Sequence, residues 1–281
     1  MTRKPGTGSR AATVIPITGQ APRRTAAYRE RNSTADRALG ILSMFNDERT
    51  ALAATEVASH LNVARSTAYR YLQSLVQSGF IEEAANGRFQ LGTRILELGR
   101  LARRGNSLSA IVLPVMRELA QSTGETVLLT RLAGTSVICL ERADAAERAL
   151  RISYEPGQVL PTNAGASAHV LLAWLDEPDL SRIISATTFT RFTGKTIADG
   201  ERLRKRLAET RAQGYAISQG ELDTDVLGIA APIRSANGKV IAGISIAALA
   251  SRIPSQRLEL VVSDVRAASE RITSRLELLE V

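Results

Sequence analysis

Ser66, Arg70, Gln73 and Gln77 return to one side of the stretch RSTAYRYLQSLVQ, because their spacing keeps them in step with a helical turn. These are groups that read base edges: a guanidinium forks onto guanine, a carboxamide pairs with adenine, and a hydroxyl suits either. Arg65 and Thr67 lie in the first turn, near free backbone amides that attract phosphate, and Tyr69 stands on the same helix. Arg88, beside Asn86-Gly87, is placed to reach a backbone phosphate. A polar outer side is also what any surface helix shows, so the surrounding elements must decide.

No other group of residues proposes a reaction. Cys139 sits in the apolar run SVICLE and reads as core packing, while His60 and His169 have no Cys or His at metal-ligand spacing. There is no Gly-rich phosphate loop and no Gly-x-Ser-x-Gly. Glu221, Asp223 and Asp225 read as solvated loop acids, with no second carboxylate group to pair with them. The expectation is no catalytic residue, no metal and no cofactor: not an enzyme.

The elements around the polar helix give it a plan. Its inner side carries Ala68, Leu72, Leu75 and Val76 at helical period, and a preceding helix, 55–61, turns Val57, Ala58 and Leu61 inward. The tight Asn62-Val63 link between them predicts a helix-turn-helix over 54–79. Residues 80–91 follow as two short strands about Asn86-Gly87, a pair suited to the positive φ angles of a type I′ turn, and this hairpin reads as a wing. Ser33 or Thr34 is placed to cap a first helix whose stripe is Ala38, Ile41, Leu42 and Phe45. The winged helix-turn-helix thus spans 33–92, and a linker helix with Ile95, Leu98 and Ala102 on one side occupies 93–107.

Charge is distributed accordingly. Of the net +8, residues 1–31 carry seven Lys or Arg against one Glu, residues 32–108 carry nine Arg against seven acids, and the remainder is balanced. A basic half joined to a neutral half fits one part meeting a polyanion and the other not, although a charged tail also serves solubility. Residues 1–32, rich in Pro, Gly and scattered Arg, read as a disordered basic tail. One cysteine fits a reducing compartment, and no apolar run approaches a membrane span, so a cytoplasmic protein that avoids membranes is expected.

Residues 108–281 mix helices and strands. Helices are expected over 108–122, 164–175 and 201–213, and from Ser255, which is placed as a cap, through Leu258, Val261, Val262, Val265 and Ile272. Strands are expected over 126–132, 136–141, 149–154, 215–218, 227–232 and 240–248, with a turn at Asn237-Gly238. This pattern argues for an α+β domain around an antiparallel sheet.

Four stretches, DRALGILSMF from Asp36, VARSTAYRYLQSLVQSGFI from Val63, RFQLGTRILELG from Arg88 and GYAISQGELDTDVLGIAAPIRSANGKVIAGISIAA from Gly214, together resemble the IclR-type family of bacterial transcription regulators. The resemblance implies an N-terminal winged helix, a linker helix and a GAF-like C-terminal domain that binds a small organic or aromatic acid. It also implies a homodimer, or a dimer of dimers, on a partly palindromic double-stranded DNA operator. Carried over, it places the effector pocket at PTNAGASAHVLLA, with the backbone amides of Ala166 and Ser167 near the acid group, and at Ser218, Gly228, Ser245 and Ala247, with Ala149 and Ile152 as apolar wall. Ala168-His169-Val170 stands where many members have Gly-Lys-Ala, and the pocket has fewer thiol, acid and hydroxyl groups, which leaves room for a bulkier, less polar acid than glyoxylate or pyruvate. From the residues alone, small residues at a helix start leave amides open to an anion, while Ser245 by itself reads rather as a core serine bonded to its own sheet. The implied function is a sequence-specific DNA-binding regulator, a repressor, controlled by that acid. The rivals are a constitutive DNA-binding protein whose C-terminal half only assembles subunits, and an enzyme using the C-terminal pocket.

Overall fold

The computed structural model describes residues 33–105, 107–145 and 154–278. The chain divides between Leu101 and Ala102 into two compact units.

The first unit begins with α1 (Ser33–Leu42) and continues through β1 (Ala51–Leu52), α2 (Ala54–Leu61), α3 (Arg65–Gln77), β2 (Ile81–Glu83) and β3 (Phe89–Leu91) into α4 (Thr93–Gly105). Apolar positions three and four apart explain the helices, since Ile41, Val57, Ala68, Leu72 and Leu75 converge on one core with Leu52, Ile81 and Phe89. The α2–α3 link works because Asn62 accepts a left-handed backbone, φ 50°, and the Val63 amide closes back on the Ala58 carbonyl. Gly79 ends α3 the same way, at φ 73°, with the Phe80 amide on the Leu75 carbonyl.

The wing is a three-stranded antiparallel sheet in the order β1-β3-β2, so the two-residue strand at Ala51–Leu52 adds a member beyond the expected hairpin. Asn86 and Gly87 take positive φ angles, 82° and 70°. The turn bond, however, runs from the Gly87 amide to the Ala84 carbonyl, and the Ala84 amide closes on the Arg88 carbonyl. The connection is therefore a longer loop and not the expected two-residue turn. Ser33 lies inside α1 rather than ahead of it. At the foot of the wing the backbones touch: a Cβ at Gly92 would lie 2.3 Å from the Gly79 carbonyl oxygen, and the Arg94 amide bonds to that oxygen.

The second unit continues with α5 (Ser107–Thr123), β4 (Thr126–Ala133), β5 (Ser136–Ala143), β6 (Val159–Leu160), α6 (Ala166–Leu172), α7 (Glu177–Ala186), α8 (Gly200–Gln213), β7 (Ala216–Gln219), β8 (Val226–Arg234), β9 (Val240–Leu249) and α9 (Ser255–Leu278). The six strands form one antiparallel sheet ordered β6-β5-β4-β9-β8-β7, as an α+β architecture requires. Side chains alternate across it. Val127, Leu129, Ile229, Ile244 and Ile246 meet α5 and α9 on one face, while Leu128, Ala216, Ala230 and Ala247 meet α6 on the other.

The expected strand at 149–154 lies almost wholly outside the described residues, and β6 occupies a stretch read as loop. Helix α7 was not expected; Asp176 caps it by accepting the Asp179 amide at 3.0 Å, with a proline in the first turn. Ser255 is the first residue of α9 instead of its cap. Among the described residues no helix is long and apolar enough to cross a membrane.

Candidate DNA-reading face and effector site

Helix α3 turns Ala68, Leu72 and Leu75 into the core and leaves Arg65, Ser66, Arg70 and Gln77 exposed, with Thr67 and Gln73 half-buried. Tyr69 is exposed at the edge of this surface and meets the Phe89 ring edge-on, centroids 6.0 Å apart, which holds the phenol over the wing. Ala64 gives α3 no side-chain cap, so the first two amides of the helix are left for solvent or an anion.

Arg88, expected to reach a phosphate, already has partners within the chain. Its guanidinium donates to the Ala51 carbonyl at 2.7 Å and to Glu56 Oε2 at 3.1 Å, tying the wing to the start of α2. The same Glu56 oxygen takes the Ala53 amide at 2.6 Å. That amide and the Arg88 charge hold the Glu56 carboxyl below its ordinary value.

In the second unit two transverse rows of the sheet lie under α6. Ser218, Gly228, Ala247 and Thr126 are register partners in one row, and Ala216, Ala230, Ser245 and Leu128 in the next. The Ala166 amide donates to Ser218 Oγ at 3.0 Å, and the Ser167 and Ser245 hydroxyls are 2.9 Å apart. Gly228 makes this approach possible: a Cβ there would fall 2.8 Å from Ser218 Oγ and 3.3 Å from Ala166 Cβ. The fold thus brings together Ala166, Ser167, Ser218, Gly228, Ser245 and Ala247, while Ala149 and Ile152 lie outside the described residues. The Ala166 amide, expected open, is taken by Ser218.

Three buried groups escaped the sequence reading. Glu221 is not a solvated loop acid: its side chain is 4% exposed, Oε2 accepts the Gly165 amide at 2.9 Å, and Oε1 accepts from Arg206 at 2.7 Å. Burial raises its pKa, with the Gly165 amide and Arg206 opposing. His169, fully buried on α6, places Nε2 3.4 Å from Glu221 Oε2, and neither ring nitrogen has a hydrogen-bond partner. Burial, with Arg206 adding to it, drives the imidazole down to about 3, so the ring is neutral. The third is Arg142 on β5, whose side chain is 8% exposed. The Gly165 amide and Arg206 hold Glu221 inward, and no local pattern around an acidic Glu-Leu-Asp-Thr-Asp run signals that. Among the described residues no group of three or more His, Cys, Asp or Glu is arranged to hold a metal ion.

Two family models match the chain: bacterial transcriptional regulator IclR C-terminal over residues 103–274, and the IclR helix-turn-helix domain over residues 34–85. The chain belongs to the IclR family. It is 32% identical over 224 residues to the HTH-type transcriptional regulator XynR of Escherichia coli K12, covering 79% of this chain and 88% of that protein. An IclR-type regulator from Silicibacter sp. TM1040 superposes with TM-score 0.78 at 27% identity, covering 87% of this chain and 96% of the other. An IclR homologue from Microbacterium hydrocarbonoxydans, crystallised with 4-hydroxybenzoate, superposes with TM-score 0.70 at 30% identity, covering 88% and 100%. As an IclR protein this chain is a transcriptional regulator with a helix-turn-helix DNA-binding domain, and its named relatives are regulators, not enzymes.

Proposed function

We propose that this IclR protein is a cytoplasmic repressor whose grip on a specific operator is controlled by an organic or aromatic acid bound in its second domain. In this reading residues 1–32 are a basic tail that follows phosphates, 33–92 read the operator, 93–107 link, and 108–281 bind the effector. Arg70 and Gln73 contact bases with Ser66, Arg65 and Thr67 contact phosphates, and Tyr69 and Arg88 shape the wing side of the surface. The effector lies against Ala166, Ser167, Ser218, Gly228, Ser245 and Ala247, with Ala149 and Ile152 contributing apolar wall. Two protomers, or a dimer of dimers, place their reading helices one helical turn of DNA apart or a multiple of it.

One observation carries the effector half: a cluster of hydroxyls, half-buried Ser167 against buried Ser245 and buried Ser218 against the α6 amide, set in an otherwise apolar face of the sheet. The homologue bound to 4-hydroxybenzoate supports the choice of an acid. Effector binding shifts DNA affinity only by its differential affinity for two arrangements, typically about 1–3 kcal/mol.

A constitutive reader whose second domain only assembles subunits is the rival, favoured by the Gly165 and Ala166 amides being bonded within the chain already. Gel-shift titration against the upstream region of its own gene, with and without a panel of carboxylic acids, separates the two. The proposal expects a several-fold change in affinity with at least one acid; affinity indifferent to every acid, together with no binding of any acid by calorimetry, favours the rival.

A further inference from the structure

The wing is charged the wrong way for a grip on phosphates. Between Phe80 and Gly92 its charged residues are Glu82, Glu83 and Arg88. Both carboxylates are exposed on β2, an outer strand of the wing sheet, where Glu82 accepts the Gln90 side-chain amide at 2.6 Å. The one cation is already engaged: a single nitrogen of Arg88, Nη2, donates to both the Ala51 carbonyl and Glu56. Glu56 is firmly held in turn. It lies in the first turn of α2, and one oxygen takes the Ala53 amide as well as Arg88. The Ala53 amide, then the Arg88 and Arg49 charges, outweigh its desolvation and keep it ionised.

Position gives this pair a consequence for DNA. In a helix-turn-helix the second helix enters the major groove while the first crosses the phosphate backbone. Glu56 is on the first turn of that crossing helix. Arg88 adjoins Phe89, whose ring meets Tyr69 at the edge of the reading surface. The pair is about two-fifths exposed, so a passing strand can reach it. A carboxylate on a guanidinium takes up donors as a phosphate oxygen does, and its charge repels a phosphate that approaches.

We propose that Glu56 stands in for a DNA phosphate on Arg88, keeping the wing out of the backbone grip, so that affinity for duplex of any sequence is lowered while base reading by α3 is left intact. Phosphate contacts supply the sequence-independent part of binding, and a protein that withholds one raises the ratio of specific to random affinity. Glu56 is thus a specificity-determining residue that touches no base. The inference goes beyond the effector reading and depends on no acid.

The test is binding of the full chain to a random-sequence duplex, read by fluorescence anisotropy from about 50 to about 200 mM salt. Glu56→Gln keeps a side-chain carbonyl that accepts the Ala53 amide, so α2 stays capped. It should bind the random duplex more tightly than the wild type at low salt. Over that range it should lose about threefold more affinity than the wild type, the scale of one added phosphate contact. The double variant Glu56→Gln/Arg88→Ala should return to the wild-type slope, because the gain needs the released guanidinium. Glu82→Gln removes the same charge from the wing without freeing Arg88, and its slope should match the wild type. A Glu56→Gln slope equal to the wild type overturns the inference. So does a gain that persists in the double variant or is matched by Glu82→Gln, since loss of a repelling carboxylate would then account for it. Should the double variant fail to fold, the slopes of Glu56→Gln and Glu82→Gln decide.

Discussion

His169 Nε2 lies 3.4 Å from Glu221 Oε2, and both side chains are withdrawn from solvent beneath the start of α6. A neutral ring faces a buried carboxylate that is anchored elsewhere, by the Gly165 amide and by Arg206. The histidine therefore enters the fold at a cost in acid, since its folded pKa, about 3, lies below its ordinary value of 6.5.

The sign of the pH dependence follows. Below about pH 6.5 the unfolded chain protonates His169 and the fold does not, so its contribution to stability is lost as pH falls toward 3, at up to about 1.4 kcal/mol per pH unit. Glu221 acts oppositely: its raised folded pKa favours the fold as pH drops. Denaturation midpoints measured from pH 7 to pH 4.5 should decline less steeply for His169→Gln than for the wild type; parallel curves would refute this.

Gly228→Ala forces a methyl against Ser218 Oγ and Ala166. The expected result is a loss of about 1–3 kcal/mol, the usual scale of overpacking, as the Ser218 bond to the Ala166 amide is displaced. Urea unfolding measures it. Ser218→Ala should lose less, because it leaves the backbone spacing intact.

Arg70→Ala should remove discrimination between operator and random duplex by about 1–3 kcal/mol if the guanidinium contacts a base. Arg65→Ala should weaken both duplexes alike and reduce the salt slope by about one, as a lost phosphate contact does. Competition binding across salt concentrations distinguishes them. Identical behaviour of the two variants would count against the reading surface proposed for α3.

Arg88→Ala should behave otherwise, because its guanidinium already spans the wing and α2. The Glu56 pair is about two-fifths exposed, so solvent screens it and the ion pair itself contributes little. A small drop in melting temperature with an unchanged salt slope is expected; a reduced slope would return Arg88 to the phosphates.

Much of this molecule was legible in its sequence where periodicity reports burial. The stripe Ala68, Leu72, Leu75 marked α3, and Asn62 marked the tight link, because burial and backbone handedness act locally. Strands β4, β5, β7, β8 and β9 were legible for the same reason, whereas β6 had been read as loop. What escaped depends on residues far apart in the chain. Glu221 looked solvated beside Asp223 and Asp225, yet its partners are Gly165 and Arg206. Arg142 ended an ordinary strand, yet its partners are the Tyr154 carbonyl and Glu155, across a gap in sequence. Helix α7 was announced by Asp176 and a proline but lacked a long apolar stripe, with Ile183 its one buried residue.

The contact of Gly92 with the Gly79 carbonyl has a mechanical meaning. Main chain leaving the wing rests on main chain leaving the reading helix, with no side chain between them to bend. The start of Thr93–Gly105 is thereby fastened, backbone to backbone, at the end of Arg65–Gln77, and even a methyl group at position 92 would pry the joint apart.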